Sequence, residues 1–130
     1  MKLYIAARFK GLENKSEIEK LCSAVKAAGM EDFCFIRDVE NYQPVFSDLK
    51  ELWRRAKQEI EDCDALLIDV SDAPTGGRVV EAGIAYGLGK PVIVIVQAGT
   101  EYRPFFDGVA AEVISYKRYN DIIEPLRPFL

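Results

Sequence analysis

The sequence predicts an α/β domain built on a doubly wound parallel sheet of five strands. Three observations predict it. Short apolar runs of strand length alternate with amphipathic stretches of helical period, in the order β-α-β-α-β-α-β-loop-β-α. The runs at 65–70 (ALLIDV) and 91–96 (PVIVIV) are apolar throughout, as strands covered on both faces are. The length of 130 residues fits one core, so residues 1–130 are expected to form a single domain.

Each element has its own signal. Residues 2–7 (KLYIAA) read as a short buried strand. Ser16 and Glu19 suggest a capping box at the start of a helix over 16–28, with Ile18, Leu21, Cys22 and Val25 at helical spacing and Gly29 as its stop. Residues 33–36 (FCFI) read as the second strand and 37–47 as a polar loop. A charged helix over 48–62 carries the stripe Leu49, Leu52, Trp53, Ala56 and Ile60. After the third strand, the run Ser71 to Gly77 is a turn, and a helix over about 77–88 follows. In that helix Gly83 and Gly87 suggest close approach to the sheet. Residues 97–110 read as irregular, 112–116 as a fifth strand and 119–127 as a closing helix. The alternation implies right-handed crossovers and a parallel sheet covered on both faces; the expected strand order is flavodoxin-like, 2-1-3-4-5, with ligands at the carboxyl ends of the strands near the switch point.

Composition narrows the function. Hydrophobic residues make up 49% and charged residues 29%, a globular balance. The net charge of −4 argues against broad binding to nucleic-acid backbone. A small anion remains compatible with it. With no histidine in the chain, histidine-based catalysis is excluded and no zinc or other metal site is expected. Cys22, Cys34 and Cys63 are odd in number and widely spaced, and read as buried apolar residues rather than a disulfide framework. No signal-peptide pattern and no apolar run approaching ~18 residues is present, so the expectation is a cytoplasmic protein without a membrane partner.

Candidate chemistry gathers at two strand-to-helix junctions. In the third, Thr75, Gly76 and Gly77 precede the helix: they either admit a phosphate or sugar hydroxyls close to the backbone or make a tight turn and a cap. Glu81 follows in a helix of mostly apolar residues. A carboxylate there is costly unless it is paired, for instance with Arg78, or faces a cleft, where it would serve as nucleophile or general base. In the first junction Ala7 keeps the strand end narrow, and Arg8 and Lys10 either serve an anionic group or are solvated. Tyr4 is either a core aromatic or a hydroxyl aimed at Glu81. Asp69 either binds a ribose hydroxyl or caps the following loop, and Trp53 reads as core. The aromatic loop at 97–108, with Tyr102, Phe105 and Phe106, is a candidate interface or lid.

The stretch from Gly76 to Ile93, GGRVVEAGIAYGLGKPVI, resembles the signature of the nucleoside 2-deoxyribosyltransferase family, which includes a nucleotide N-hydrolase branch. Lys2 to Ala6 and Cys63 to Asp69 resemble that family's first and third strands. The resemblance implies cleavage or transfer at the N-glycosidic bond of a nucleoside or nucleoside monophosphate. Glu81 would be the carboxylate nucleophile and Tyr4 would orient it. It implies no cofactor, a small-molecule substrate, and a homodimer or larger homo-oligomer. Ala56 and Thr75 stand where the transferases carry aspartates, and the first loop, with Ala7, Arg8 and Lys10, differs from the hydrolase branch's phosphate loop. The alternative is a catalytically inactive nucleotide-binding sensor or interaction domain of the same fold.

Overall fold

The computed structural model describes residues 1–8, 10–72, 74, 76–101 and 104–130. Its strands are β1 (Lys2–Ala6), β2 (Glu31–Phe33), β3 (Ala65–Asp69), β4 (Val92–Gln97) and β5 (Ala110–Tyr116). Its helices are α1 (Lys15–Ala27), α2 (Phe35–Asp38), α3 (Leu49–Asp62), α4 (Gly77–Gly87) and α5 (Ile123–Leu126), with short 3-10 turns at Pro104–Gly108, Tyr119–Ile122 and Arg127–Phe129. The five strands form one all-parallel sheet in the order β2-β1-β3-β4-β5. The expected fold and strand order are therefore observed.

Successive side chains on a strand point to opposite faces, and this alternation sorts the core into two layers. Leu3, Ile5, Ala65, Leu67, Ile93 and Ile95 pack on one face with residues of α1 and α5. Tyr4, Ala6, Leu66, Ile68, Val92 and Val94 pack on the other with residues of α3 and α4. β1 and β3 are paired with Tyr4 opposite Leu66, which puts Tyr4 on the α3/α4 face. Cys22, Cys34 and Cys63 are buried and unbridged, as expected.

Several local expectations are corrected. The second strand ends at Phe33, and residues 35–38 turn into α2. The Asp38 carboxylate accepts from the Cys34 backbone N–H at 2.9 Å, which favours a helical turn over continued extension. The capping box at Ser16 and Glu19 does not form: α1 starts at Lys15, and the Glu19 carboxylate instead accepts from the Tyr42 hydroxyl. Asn14, at the helix start, accepts from Lys10 N–H at 2.9 Å and donates to the Arg8 carbonyl at 2.5 Å, folding the first junction back on itself. α3 begins where expected, with Asp48 capping the Lys50 N–H at 2.9 Å. Gly83 and Gly87 are exposed, and a Cβ on either would meet nothing within 4 Å, so they do not mediate close packing. α4 buries Arg78, Ala82 and Ala85 instead and exposes Val80 (46%) and Tyr86 (55%). Phe105 is exposed, and Tyr102 lies outside the described residues.

Candidate active site

The buried stripe of α4 runs Arg78, Ala82 and Ala85, at spacings of four and three. Glu81 lies on the flank of this stripe, so its side chain reaches toward the carboxyl end of β1. There the Tyr4 hydroxyl, from a side chain with no solvent exposure, donates a hydrogen bond to Glu81 Oε2. Tyr4 is thus both of the things the sequence allowed, a core aromatic and a partner of Glu81.

The environment of this pair is unequal for the two groups. Burial pushes the Glu81 carboxyl up to about 7; the Tyr4 hydrogen bond and the nearby Arg78 charge pull it down, and the Glu40 charge adds a push upward. Burial, and then the Glu81 charge, holds the Tyr4 phenol far above its usual range, so Tyr4 stays a donor. One carboxylate oxygen is therefore engaged by Tyr4.

Glu81 opens on a cavity of about 460 Å³, within the range of small-molecule sites. Ala7 and Arg8 form its wall at the end of β1, and Gly77 and Arg78 at the start of α4. α3 contributes Leu49, Leu52, Trp53 and Ala56, and the segment after β2 contributes Phe35 and Glu40. Trp53 is partly buried and spans toward α4, where a Cβ added to Gly77 would sit 3.8 Å from its Cη2 atom. Trp53 is therefore a cavity wall as well as a packing residue.

Arg78 does not pair with Glu81. Its guanidinium makes two hydrogen bonds to Asp72, at 2.8 and 3.0 Å, and one to the Asp69 carbonyl at 2.9 Å. Against the cost of burial, these bonds and the Arg78 charge hold the Asp72 carboxyl below its usual range. Arg8 joins the same aspartate at 3.1 Å. This ion-pair network ties the first junction to the third and forms the partition between two cavities.

The second cavity, about 260 Å³, lies across that partition and is lined by Lys10, Asn14, Asp69, Ser71 and Tyr116, with Ala7, Arg8 and Arg78 shared. Asp69 belongs here and not with Glu81. It lies three residues beyond Leu66, the register partner of Tyr4, and so projects to the opposite face. Its carboxylate accepts from the Ser71 hydroxyl at 2.6 Å, the Ser71 N–H at 3.0 Å and the Tyr116 hydroxyl at 2.5 Å. The structure thus places Glu81 and Gly77 on one cavity, with Tyr4 buried behind Glu81, and Asp69 and Lys10 on the other, with Ala7 and Arg8 on both. Gly76 takes the N-cap position of α4 with φ 64° and ψ −130°. Thr75 lies outside the described residues. The sequence reading missed Glu40, Ser71, Asp72 and Tyr116 as lining residues, for no local pattern marks them.

A parallel α/β sheet in this strand order, with a carboxylate and a cavity at its carboxyl edge beside the β1/β3 switch point, defines a protein of the flavodoxin-like class. The family model described as nucleoside 2-deoxyribosyltransferase matches residues 3–120, and the chain belongs to that family. Solved structures share its fold. The CMP N-glycosidase BcmB of Clostridium botulinum superposes with a TM-score of 0.71 at 19% identity over 100% of both chains. A 2-deoxyribosyltransferase of Bacillus psychrosaccharolyticus gives 0.75 at 20% identity, over 95% of this chain and 90% of that one. A conserved protein of Enterococcus faecalis V583 gives 0.74 at 17% identity, over 100% and 99%. No curated protein sequence matches the chain. No helix among the described residues is long and apolar enough to cross a membrane.

Proposed function

We propose that the protein cleaves or transfers the N-glycosidic bond of a nucleoside or nucleoside monophosphate, with Glu81 as the nucleophile. The observation that carries this reading is the Glu81 carboxylate, held by Tyr4 through one oxygen, at the wall of a cavity of about 460 Å³. The free oxygen of Glu81 attacks the anomeric carbon, the bond to the base breaks, and its electron pair leaves on the base nitrogen. The sugar remains as an ester on Glu81 until water or a second base displaces it. The positive charge that develops on the sugar is matched by the carboxylate in a poorly hydrated site. Trp53 and Phe35 offer aromatic surface to the base, and Arg8 offers charge to a 5′-phosphate at the cavity mouth. As written, the reaction needs no metal or organic cofactor.

The test is release of free base from a panel of nucleosides and nucleoside monophosphates, with and without a second base, read by chromatography. Glu81→Ala should lower the rate on the order of 10⁴-fold or more, as loss of a covalent nucleophile does. Ligand-induced stabilisation without base release from any substrate would leave a nucleotide-binding protein and remove the enzyme.

A second copy of this chain is proposed to cover the apolar outer face of α4, where Val80 and Tyr86 lie exposed beside Gly83 and Gly87. Sedimentation should then report a dimer or larger assembly, and Tyr86→Glu should shift it to the monomer. A wild-type monomer at micromolar concentration would exclude the arrangement.

A further inference from the structure

Glycosyl transfer from a base needs two groups, one to take the sugar and one to hand the departing base a proton. The cavity wall narrows the second role. Among its described residues the titratable groups are Arg8, Glu40, Arg78 and Glu81. Arginine does not release its proton, and Tyr4 is committed to Glu81. The other described residues of this wall, on and just after β1, in the segment after β2, on α3 and at the start of α4, do not ionise.

Glu40 is held in place by its backbone. Its N–H donates to the Phe35 carbonyl at 3.1 Å, and its carbonyl accepts from Gln43 N–H at 3.0 Å. Asn41 and Tyr42 follow with φ of 47° and 61°, a left-handed pair that non-glycine residues seldom adopt. The Tyr42 N–H donates to the Ile36 carbonyl at 2.8 Å, and its hydroxyl bonds Glu19 on α1, which anchors the turn. Backbone held in such a conformation next to a cavity is a common feature of functional sites. Among the described residues the Glu40 carboxyl has no hydrogen-bond or ion-pair partner.

We propose that Glu40 is the acid–base residue on the base side of the cavity, a role that rests on the glycosidase reading above. In the first half-reaction the Glu40 carboxyl gives its proton to a ring nitrogen or carbonyl oxygen of the base as the N-glycosidic pair moves onto the base. Glu81 Oε1 bonds to the anomeric carbon in the same step. In the second half-reaction the Glu40 carboxylate takes a proton from the attacking water or incoming base. The ester bond breaks, and both carboxyls return to their starting state. A carboxylic acid donates through one oxygen and accepts through the other, which suits bases carrying an amino group beside a ring nitrogen, such as cytosine or adenine.

The electrostatics support the division of labour. Burial raises the Glu40 carboxyl, with no partner to favour its anion. The anion of Glu81 has the Tyr4 hydroxyl and the Arg78 charge beside it. The Glu40 charge in turn disfavours ionisation of Glu81. A bound base strips water from Glu40 and raises it further, while the cationic sugar favours Glu81 as the anion. The proton then resides on Glu40.

The experiment compares wild type, Glu40→Gln and Glu40→Ala on the best substrate of the panel. Glu40→Gln should melt near wild type, lose about 10²- to 10⁴-fold in kcat with a smaller change in KM, and lose the alkaline limb of its pH profile. Added formate should restore part of the activity of Glu40→Ala. A Glu40→Gln rate within threefold of wild type with the same alkaline limb would overturn the assignment while leaving Glu81 as nucleophile. A slower variant that keeps the limb, with no rescue of Glu40→Ala by formate, would make Glu40 a binding residue only and overturn it too. Absence of base release by wild type would bring down the glycosidase reading and this one together.

Discussion

Glu81 sits between opposing demands. A nucleophile must be ionised, whereas burial favours its neutral form and brings it to about 7. The Tyr4 hydrogen bond, ahead of the Arg78 charge, shifts this balance back. Tyr4→Phe removes the donor and keeps the ring, so the Glu81 carboxyl should rise further. The acid limb of kcat/KM should move from near pH 7 to higher pH, with the largest loss of activity below that limb. An unmoved limb would show that the titrating group is not Glu81. The sequence marked Glu81 because a carboxylate stood among apolar helix residues. It left Tyr4 open, since a strand tyrosine gives no sign of where its hydroxyl ends. It left open a pairing of Arg78 with Glu81 by i, i+3 spacing, but Asp72 offers Arg78 a two-oxygen partner and takes it.

At the scale of the element, the start of α4 shows what the paired glycines do. Gly76, with φ 64° and ψ −130°, occupies a conformation that side chains rarely tolerate, while Gly77 is the first residue of the helix and has room for a Cβ at ordinary contact with Trp53. Gly76→Ala should therefore cost about 1–3 kcal/mol in a chemical melt, and Gly77→Ala should be close to neutral. Equal costs would mean that space, not backbone conformation, selects glycine here. The tight turn and the approach to a cavity, posed as alternatives by the sequence, are divided between the two residues. The boundaries misread from sequence, at β2 and at the start of α1, fall where side chains bond the backbone. Asp38 and Asn14 find their partners only once the chain has turned.

For the whole molecule, the buried carboxyl makes stability depend on pH. Glu81 has an ordinary value of 4.5 and is raised to about 7 in the fold. Between these values the folded state binds more protons than the unfolded one, so stability falls as pH rises from about 4.5 to 7 and is then level with respect to this group. The whole effect is about 3 kcal/mol at most, from a shift of this size. Glu81→Gln keeps an acceptor for Tyr4 and carries no charge. It should raise Tm relative to wild type at pH 8 and leave it nearly unchanged at pH 4.5. A Tm difference independent of pH would show that Glu81 is not held in a desolvating site.

By itself the sequence determined the α/β class, the parallel sheet covered on both faces and the helix that carries Glu81, because these follow from hydrophobic period, strand length and the handedness of crossovers, and the expected strand order is the one observed. Only the tertiary structure decided which candidates share a cavity. That depends on the register of β1 against β3: with Tyr4 beside Leu66, Asp69 and its Ser71 and Tyr116 partners fall on the other face of the sheet from Glu81. It likewise decided that Glu40, thirty-six residues from Tyr4 along the chain, lines the same cavity as Glu81. Side-chain period is local and can be read along one segment; the meeting of segments is set by pairing and packing between strands far apart in the chain.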